Sequence, residues 1–346
     1  MATTPTSRAD TTRVSADQAR RFSAAVLGKT GLSNEDVALI AEQLVWRDLR
    51  EEYPIGLAGL PSCVSALQSG RADPRAKPRI ARDTGALAVV AGERAWGQIA
   101  GVFAMRHAIE NARKLGIGLA VVRDSLTAST MGYYPTLAIA QGMVGFVITN
   151  SNPLQPPWGG TTKVLGNQAF ALGAPAGRNH PLLFDGAATA TSRARINSLA
   201  RRGERLPDGV ALDADGQPTN DPAAALAGML LPSGGHKGYA LSVFWEVLTG
   251  ALADDAPVDG DDDRTSLFVL AIDPRATVGS ERFAANVDAL IDRIHASPPQ
   301  AGVDRVYAPG ERGYITAKER ATTGIPLSAT RIEELRAFGE KMGVPW

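Results

Sequence analysis

The sequence predicts a mixed α/β or α+β protein whose two ends are helical and whose middle carries a sheet. Three observations predict it. Short Val/Ile runs bounded by glycine, such as Gly118–Val122 and Gly145–Thr149, alternate with stretches of helical periodicity. Amphipathic helical patterns stand at both ends of the chain. A glycine-rich turn in Leu231–Leu241 opens an apolar helix, yet no Gly-x-x-x-x-Gly-Lys-Ser/Thr and no clear strand before it marks a standard nucleotide fold.

Taken in order, residues 1–12 read as a disordered polar tail. Ser15-Ala-Asp-Gln18 forms a capping box for a helix carrying Phe22, Ala25 and Val26. Ser33 caps the next helix, whose face is Val37, Ile40, Ala41, Leu44 and Val45. Pro54 and Gly56 interrupt it, Leu57–Gln68 is a short helix, and Arg71–Pro78 a linker. Then come a strand at Ala86–Ala91, a helix at Gln98–Leu115, the strand Gly118–Val122, a helix at Tyr133–Gln141 and the strand Gly145–Thr149. Leu182–Phe184 is a strand ending at Asp185, and Arg193–Gly216 is polar with Asp-Gly turns. A helix covers 238–252, Leu267–Ile272 is a strand, and Ser280–His295 and Ser328–Met342 are helices. The acidic loop from Asp254 to Asp263 lacks the spacing and terminal Glu of an EF-hand and reads as solvated. The expected organisation is the tail, a discontinuous helical domain of 13–75 and 305–346, and a sheet domain of 76–304.

The chain has 346 residues, 44% of them apolar, with 36 basic and 36 acidic side chains. That allows a sizeable core and gives no basic stripe for nucleic acid. One cysteine, Cys63, excludes an intramolecular disulfide and a cysteine-rich zinc site. No apolar run reaches the roughly 20 residues of a membrane helix, and the polar N-terminus has no signal-peptide core. A cytoplasmic protein that touches neither membrane nor nucleic acid is expected.

The chemistry concentrates in Leu-Pro-Ser-Gly234-Gly235-His236-Lys237-Gly238-Tyr-Ala-Leu. A glycine turn at a helix N-terminus leaves backbone N–H groups and the positive dipole end for an anion, and Lys237 adds a point charge. By itself the motif serves equally as a phosphate cradle or as a plain helix start with an exposed lysine.

Several segments together resemble one family. They are Thr149-Asn150-Ser151-Asn-Pro153, Pro157-Trp-Gly-Gly160, Leu183-Phe-Asp185, Asp215-Gly-Gln-Pro-Thr219, Leu231–Leu241, Tyr307-Ala-Pro309-Gly310-Glu311-Arg312 and Gly324-Ile-Pro-Leu327. Their order and spacing resemble the non-Rossmann malate/L-lactate dehydrogenase family, which includes ureidoglycolate and sulfolactate dehydrogenases and cyclic ketimine reductases. The resemblance implies an α+β fold: a mostly antiparallel cofactor-domain sheet wrapped by helices, plus a helical domain from both chain ends. It implies an NAD(P)-dependent oxidoreductase acting on a small molecule, a homodimer, and NADH or NADPH as cofactor, with the choice between them open. It carries cofactor contacts onto Thr149–Ser151, Asp185–Gly186–Ala187, Gly234–Gly238 and Pro309–Arg312. Asp185 also fits a turn cap and Arg312 an ion pair.

The substrate end departs from the family pattern of Asp-Leu-Arg, Ser-His-Gly, an arginine three residues past that glycine, and Leu-Pro. Here Asp48-Leu-Arg50 is followed by Pro54 at the serine, Ile55 at the proton-shuttling histidine, Gly59 at the carboxylate-binding arginine and Cys63 where tyrosine is common. A second family histidine falls on Thr127, and Gly-Thr-Asn-Pro has become Gly166-Asn-Gln-Ala169. Hydride addition to a ketone builds an alkoxide, and a positioned acid is worth about 10²–10⁴-fold there. Ile55 supplies no proton. An iminium is already protonated, so the leading expectation is reduction of a C=N bond in a small, cyclic imine or imino acid. The alternatives are a carbonyl reductase with a rebuilt donor among Tyr53, Glu51, Glu52 and His236, and a cofactor-binding homologue without dehydrogenase activity. Tyr53 also fits a half-buried aromatic, and His236 a phosphate or backbone partner. His107, His180 and His295 read as surface or packing residues, and no metal site is expected.

Overall fold

The computed structural model describes residues 11–50, 56–254 and 264–346. The first of these form β1 (Thr11–Val14), α1 (Ala16–Leu27), α2 (Asn34–Arg50), a 3₁₀ turn at Leu57–Gly59 and α3 (Leu60–Gln68). Both expected caps are present: Ser15 Oγ accepts the Gln18 N–H at 3.1 Å, and Ser33 Oγ the Asp36 N–H at 3.2 Å. The sheet region holds β2 (Arg79–Asp83), β3 (Leu87–Ala91), α4 (Gly97–Leu115), β4 (Ile117–Ser125), α5 (Tyr133–Ile139), β5 (Val144–Thr149), β6 (Ala169–Ala174) and β7 (Leu182–Ala187). A small excursion follows with α6 (Arg193–Arg201), β8 (Ala211–Leu212), α7 (Pro222–Ala227) and β9 (Met229–Leu230). The chain then runs through α8 (His236–Thr249), β10 (Thr265–Ile272), α9 (Ser280–His295), α10 (Glu311–Thr323), β11 (Ile325–Ser328) and α11 (Ala329–Lys341). Among the described residues no helix is long and apolar enough to cross a membrane.

The seven-stranded sheet has the order β2-β3-β4-β10-β5-β6-β7. Only β3 and β4 pair in parallel, across the crossover made by α4, so the sheet is mostly antiparallel and the fold is α+β. β10, from late in the chain, fills the centre, and its unbroken apolar run matches a strand covered on both faces. Alternation along the strands splits the core in two. Val90, Val122, Val147, Ala171 and Val269 face α4 and α5, whereas Val121, Ile148 and Phe268 face Trp245 of α8. A third core joins both chain ends: Phe22, Ile40, Leu44, Leu60 and Cys63 pack with Ile325, Leu327, Leu335 and Val344.

Three local expectations change. Thr11 and Thr12, read as tail, pair with Ser328 and Leu327, because a segment at the other end of the chain supplies the ladder. The strand expected to stop at Asp185 continues to Ala187, held across the ladder by β6. Arg193–Gly216, read as polar turns, contains α6, which is capped by Ser192 and buries Ile196 and Leu199. Most of the acidic loop lies outside the described residues.

Candidate active site

The glycine motif sits where β7 hands over to the excursion. The N–H of Ser233 donates to Ala188 O at 2.7 Å, and that of Ala190 to Leu231 O at 2.8 Å. This fastens Leu231–Ser233 to the continuation of β7. Gly234 and Gly235 then take left-handed φ of 67° and 68°, which only glycine adopts without strain. The turn delivers the chain into α8 with the first-turn amides free of intrahelical partners. A Cβ on Gly238 would overlap the Ser233 carbonyl oxygen and lie 2.9 Å from its carbon. The glycine spacing therefore follows from a close backbone approach. His236 and Lys237 are exposed, and the His236 ring meets Trp158 edge-on with centroids 6.4 Å apart. Trp158 belongs to Pro157-Trp-Gly-Gly160, so that motif joins the cradle.

The other stretches divide by role. Thr149 Oγ1 donates to Ser266 O at 3.0 Å, and Asn150 Oδ1 accepts the Ser266 N–H at 2.8 Å. Ser151 Oγ donates to Asn167 Oδ1 at 3.0 Å. These side chains pin the end of β5 to its neighbours. Pro309 O accepts the Leu183 N–H at 3.1 Å, and Gly310, at φ 83°, turns the chain against β7 into α10. Glu311 is buried and serves this turn. It takes His295 Nε2 at 2.7 Å, the Ala308 N–H at 3.0 Å and Arg305. Burial alone would raise its carboxyl, but the bonds and charges of these partners hold it below its ordinary value. The Glu311 side chain is therefore a latch inside this turn, while the Arg312 guanidinium lies 4.6 Å over the Tyr307 ring.

Asp185 lies on the other face of the sheet edge. Phe184 points toward α8, its ring 4.9 Å from Phe170, which in turn lies 4.2 Å from Trp245. Asp185, one residue on, points toward α5. It accepts the Gly132 N–H at 2.8 Å and the Thr130 hydroxyl at 3.0 Å. A Cβ on Gly132 would lie 2.8 Å from Asp185 Oδ2 and 3.1 Å from the Trp46 ring, so this glycine lets α2 close on β7. Surrounding protein desolvates the Asp185 carboxylate and raises its pKa, against the Gly132 amide, the Arg47 charge and the Thr130 hydroxyl. Solvent still reaches the residue. The Asp185 carboxyl is thus hemmed in by Gly132 and Thr130 and still reached by solvent. Gly186 and Ala187 continue the strand, and the Phe184 ring covers Gly186.

The profile of the malate/L-lactate dehydrogenase family matches residues 14–336. The chain belongs to this family. L-sulfolactate dehydrogenase of Methanocaldococcus jannaschii is 35% identical over 92% of the chain and 94% of its own length. Delta(1)-pyrroline-2-carboxylate reductase of Ancylobacter novellus is 33% identical over 90% of the chain and 93% of its own length. The crystal structure of malate dehydrogenase from Entamoeba histolytica superposes with a TM-score of 0.92 at 28% identity, covering 97% of this chain and 99% of that one. The protein is thus an oxidoreductase of the malate/L-lactate dehydrogenase family.

The residues expected at the substrate end fall partly outside the described structure. Glu51, Glu52, Tyr53, Pro54 and Ile55 lie outside the described residues. Gly59 ends the 3₁₀ turn and stands at the N-cap of α3, where an added Cβ would meet only Leu44 Cδ2 at 3.7 Å. Cys63 does not line open space: its thiol is sealed in the helical core, and burial pushes it up to about 12. Thr127 is exposed beside the start of α4, and Thr130, three residues on, makes the bond to Asp185. His236 leads α8, on the face opposite Asp185, so the two are not a hydrogen-bonded pair. What the sequence reading missed is a stacked column. The Arg50 guanidinium lies 4.7 Å from the Trp46 ring and 4.0 Å from Tyr314, and Tyr314 stacks on His180 at 5.3 Å with 2° between planes. The spacing of Trp46 and Arg50, one helical turn apart, was the available signal.

Proposed function

We propose an NAD(P)H-dependent reductase that transfers hydride to the C=N bond of a small, cyclic imine or imino acid. The observation that carries the reading is the pairing of a missing proton shuttle, with Ile55 at the histidine position, and a solvent-reached carboxyl, Asp185, beside Trp46. A protonated imine brings its own proton and a positive charge, which a solvent-reached carboxylate stabilises. The Ancylobacter relative, named for reduction of a cyclic imino acid, supports this. The names of the malate and sulfolactate relatives support carbonyl reduction instead, in which a protonated Asp185 would stand in for the lost donor.

The residues of the cradle fit a nicotinamide nucleotide, which supplies the hydride when bound. Gly234 and Gly235 open room for a pyrophosphate, the first turn of α8 offers N–H donors, and Lys237 offers an exposed cation. Titration with NADH and NADPH, followed by nucleotide fluorescence, is expected to give micromolar affinity for one of them. Lys237→Ala is expected to weaken it about 10–100-fold, the loss of one charge-assisted bond. Absence of binding in the folded protein would overturn the reading. With the preferred nucleotide, cyclic imines are expected to oxidise it faster than ketones, at a rate tracking the protonated imine. Turnover confined to ketones would remove the imine reading.

A homodimer belongs to the same proposal. α8 leaves Leu241, Phe244 and Val247 exposed at three-residue spacing, Phe244 at 68%, an apolar stripe of the kind that subunits cover. Light scattering is expected to give twice the chain mass, and a monomer at micromolar concentration would refute it.

A further inference from the structure

No helix or strand lies between His295, which ends α9, and Glu311, which begins α10. Residues 296–305 of this connection are exposed. It meets the body at its far end. Ala308 is buried with Val287 and Ile291, Pro309 O accepts the Leu183 N–H at 3.1 Å, and the Gly310 backbone rests against Leu183. A strap of this kind opens at a cost set by the few bonds at its anchor. Those bonds gather on one carboxylate. Glu311 takes the Ala308 N–H at 3.0 Å and the Arg305 guanidinium from the strap itself, and His295 Nε2 at 2.7 Å from the last turn of α9. The contact of His295 with Glu311 therefore joins the two ends of the connection.

The two basic partners of Glu311 differ in one respect. Arginine keeps its charge, whereas histidine changes its own between about pH 5 and 8. A neutral imidazole can still donate an ordinary hydrogen bond to Glu311. An imidazolium makes a charge-assisted one, roughly twice as strong. The side chains of the pair are 27% and 7% exposed, so solvent screens it only in part. The other charged groups near this end of α9 are Asp292 and Arg293 on the helix, Arg178 on the approach to β7, Arg305 on the strap and Arg312 on α10. Arg178 is taken by Asp288 and Asp292. Carboxylates and guanidinium groups hold their charge across neutral pH. Burial raises the Glu311 carboxyl, but His295, the Ala308 N–H and Arg305 outweigh it and hold the group below its ordinary value. The added attraction is thus present below the histidine range and is lost as pH rises through it.

We propose that this strap is a pH-sensitive device: protonated His295 holds it shut on β7 through Glu311, and loss of the proton loosens it. What loosens is the turn that carries Arg312, an exposed cation over Tyr307, and that covers the backbone of Leu183 two residues before Asp185. The device needs no bound nucleotide and is independent of the reductase reading.

Amide hydrogen exchange of the full-length protein between pH 5.5 and 8.5, corrected for the intrinsic rise of exchange with pH, tests this. The Leu183 and Ala308 amides report the strap, since their N–H groups bond to Pro309 O and to Glu311. Amides of the central strand β10 report the rest of the fold. In the wild type, protection of Leu183 and Ala308 relative to β10 is expected to fall about fivefold as pH rises through the histidine range. His295→Gln keeps a neutral donor and cannot titrate, so its relative protection should be low and flat with pH. His295→Arg keeps the charge at every pH, so its relative protection should be high and flat. A wild type whose relative protection does not change with pH overturns the inference. So does a His295→Gln or His295→Arg protein that retains the wild-type slope, or a loss in which β10 moves by the same factor, which would make His295 an ordinary stabilising residue. The wild-type measurement and the charged variant keep the test decisive if His295→Gln folds poorly.

Discussion

Replacing Gly238 with alanine is expected to cost at least about 100-fold in nucleotide affinity, or about 2.7 kcal/mol. The added methyl would overlap the Ser233 carbonyl oxygen and lie 3.1 Å from the Ser233 nitrogen. Neither atom belongs to a side chain that could swing away. Ser233 is tied by its own N–H to Ala188 O at 2.7 Å, and Ala188 continues the strand that carries Asp185. To relieve the overlap, the chain must either release the loop from that strand or tilt the start of α8. Either movement displaces Gly234, Gly235 and the first-turn amides from a shared focus. Forced overpacking of this kind costs about 1–3 kcal/mol of stability, so a lower melting temperature should accompany the loss. Lys237→Ala removes one charge and leaves the backbone alone, so it should be the milder variant. A Gly238→Ala protein that binds NADH or NADPH within about threefold of wild type would show that the cradle is not built on this approach.

Much of the architecture was legible because its causes are local. Ser15 and Ser33 announce helix starts through their own hydroxyls, and α9 runs from Ser280 to His295 as its periodicity requires. The apolar run Leu267–Ile272 gave away the strand β10. Elements whose cause lies far away in sequence were not legible. β1 exists because Ile325–Ser328 is there to pair with it. β2 is a mostly exposed edge strand whose charged residues carry no alternating signal. The site divides along the same line. The glycine turn into α8 could be read because its demand falls on the backbone of consecutive residues. The column of Trp46, Arg50, Tyr314 and His180 could not, since it joins α2, α10 and the approach to β7. Glu311 and Arg312 are sequence neighbours with one expected role, and only burial separates them: the first is a latch inside the turn, the second lies over Tyr307. Thr127 and Thr130 are separated by Ser129 at a left-handed φ of 60°, which helps to decide which threonine reaches Asp185.

A pH-dependent loss of stability is expected from Asp48. This carboxyl is fully buried at the end of α2, and burial pushes it from 3.8 up to about 6. The N–H groups of Leu57 and Gly56, both donating to it, and the charges of Arg47 and Arg320 hold it from rising further. Because the folded value lies above the unfolded one, the native state binds this proton more tightly. The stabilisation is fully present below about pH 4 and is lost as pH rises through about 6, amounting to about 3 kcal/mol. The amide introduced by Asp48→Asn cannot titrate, and it sets a donor against one of the two N–H groups, at a cost of about 1–3 kcal/mol. Denaturant melts of wild type and Asp48→Asn at pH 5 and 7.5 should therefore show a penalty that shrinks toward the higher pH. A penalty that is constant, or that grows, would mean that Asp48 is ionised throughout and that its partners outweigh its burial. The same bonds tether Gly56 to α2 two residues before Arg50, and a Cβ on Gly56 would overlap the Leu44 carbonyl oxygen. Asp48 thus fixes where the chain resumes beyond the helix that carries Arg50, and Asp48→Ala, which leaves both N–H groups without an acceptor, should be the more damaging variant.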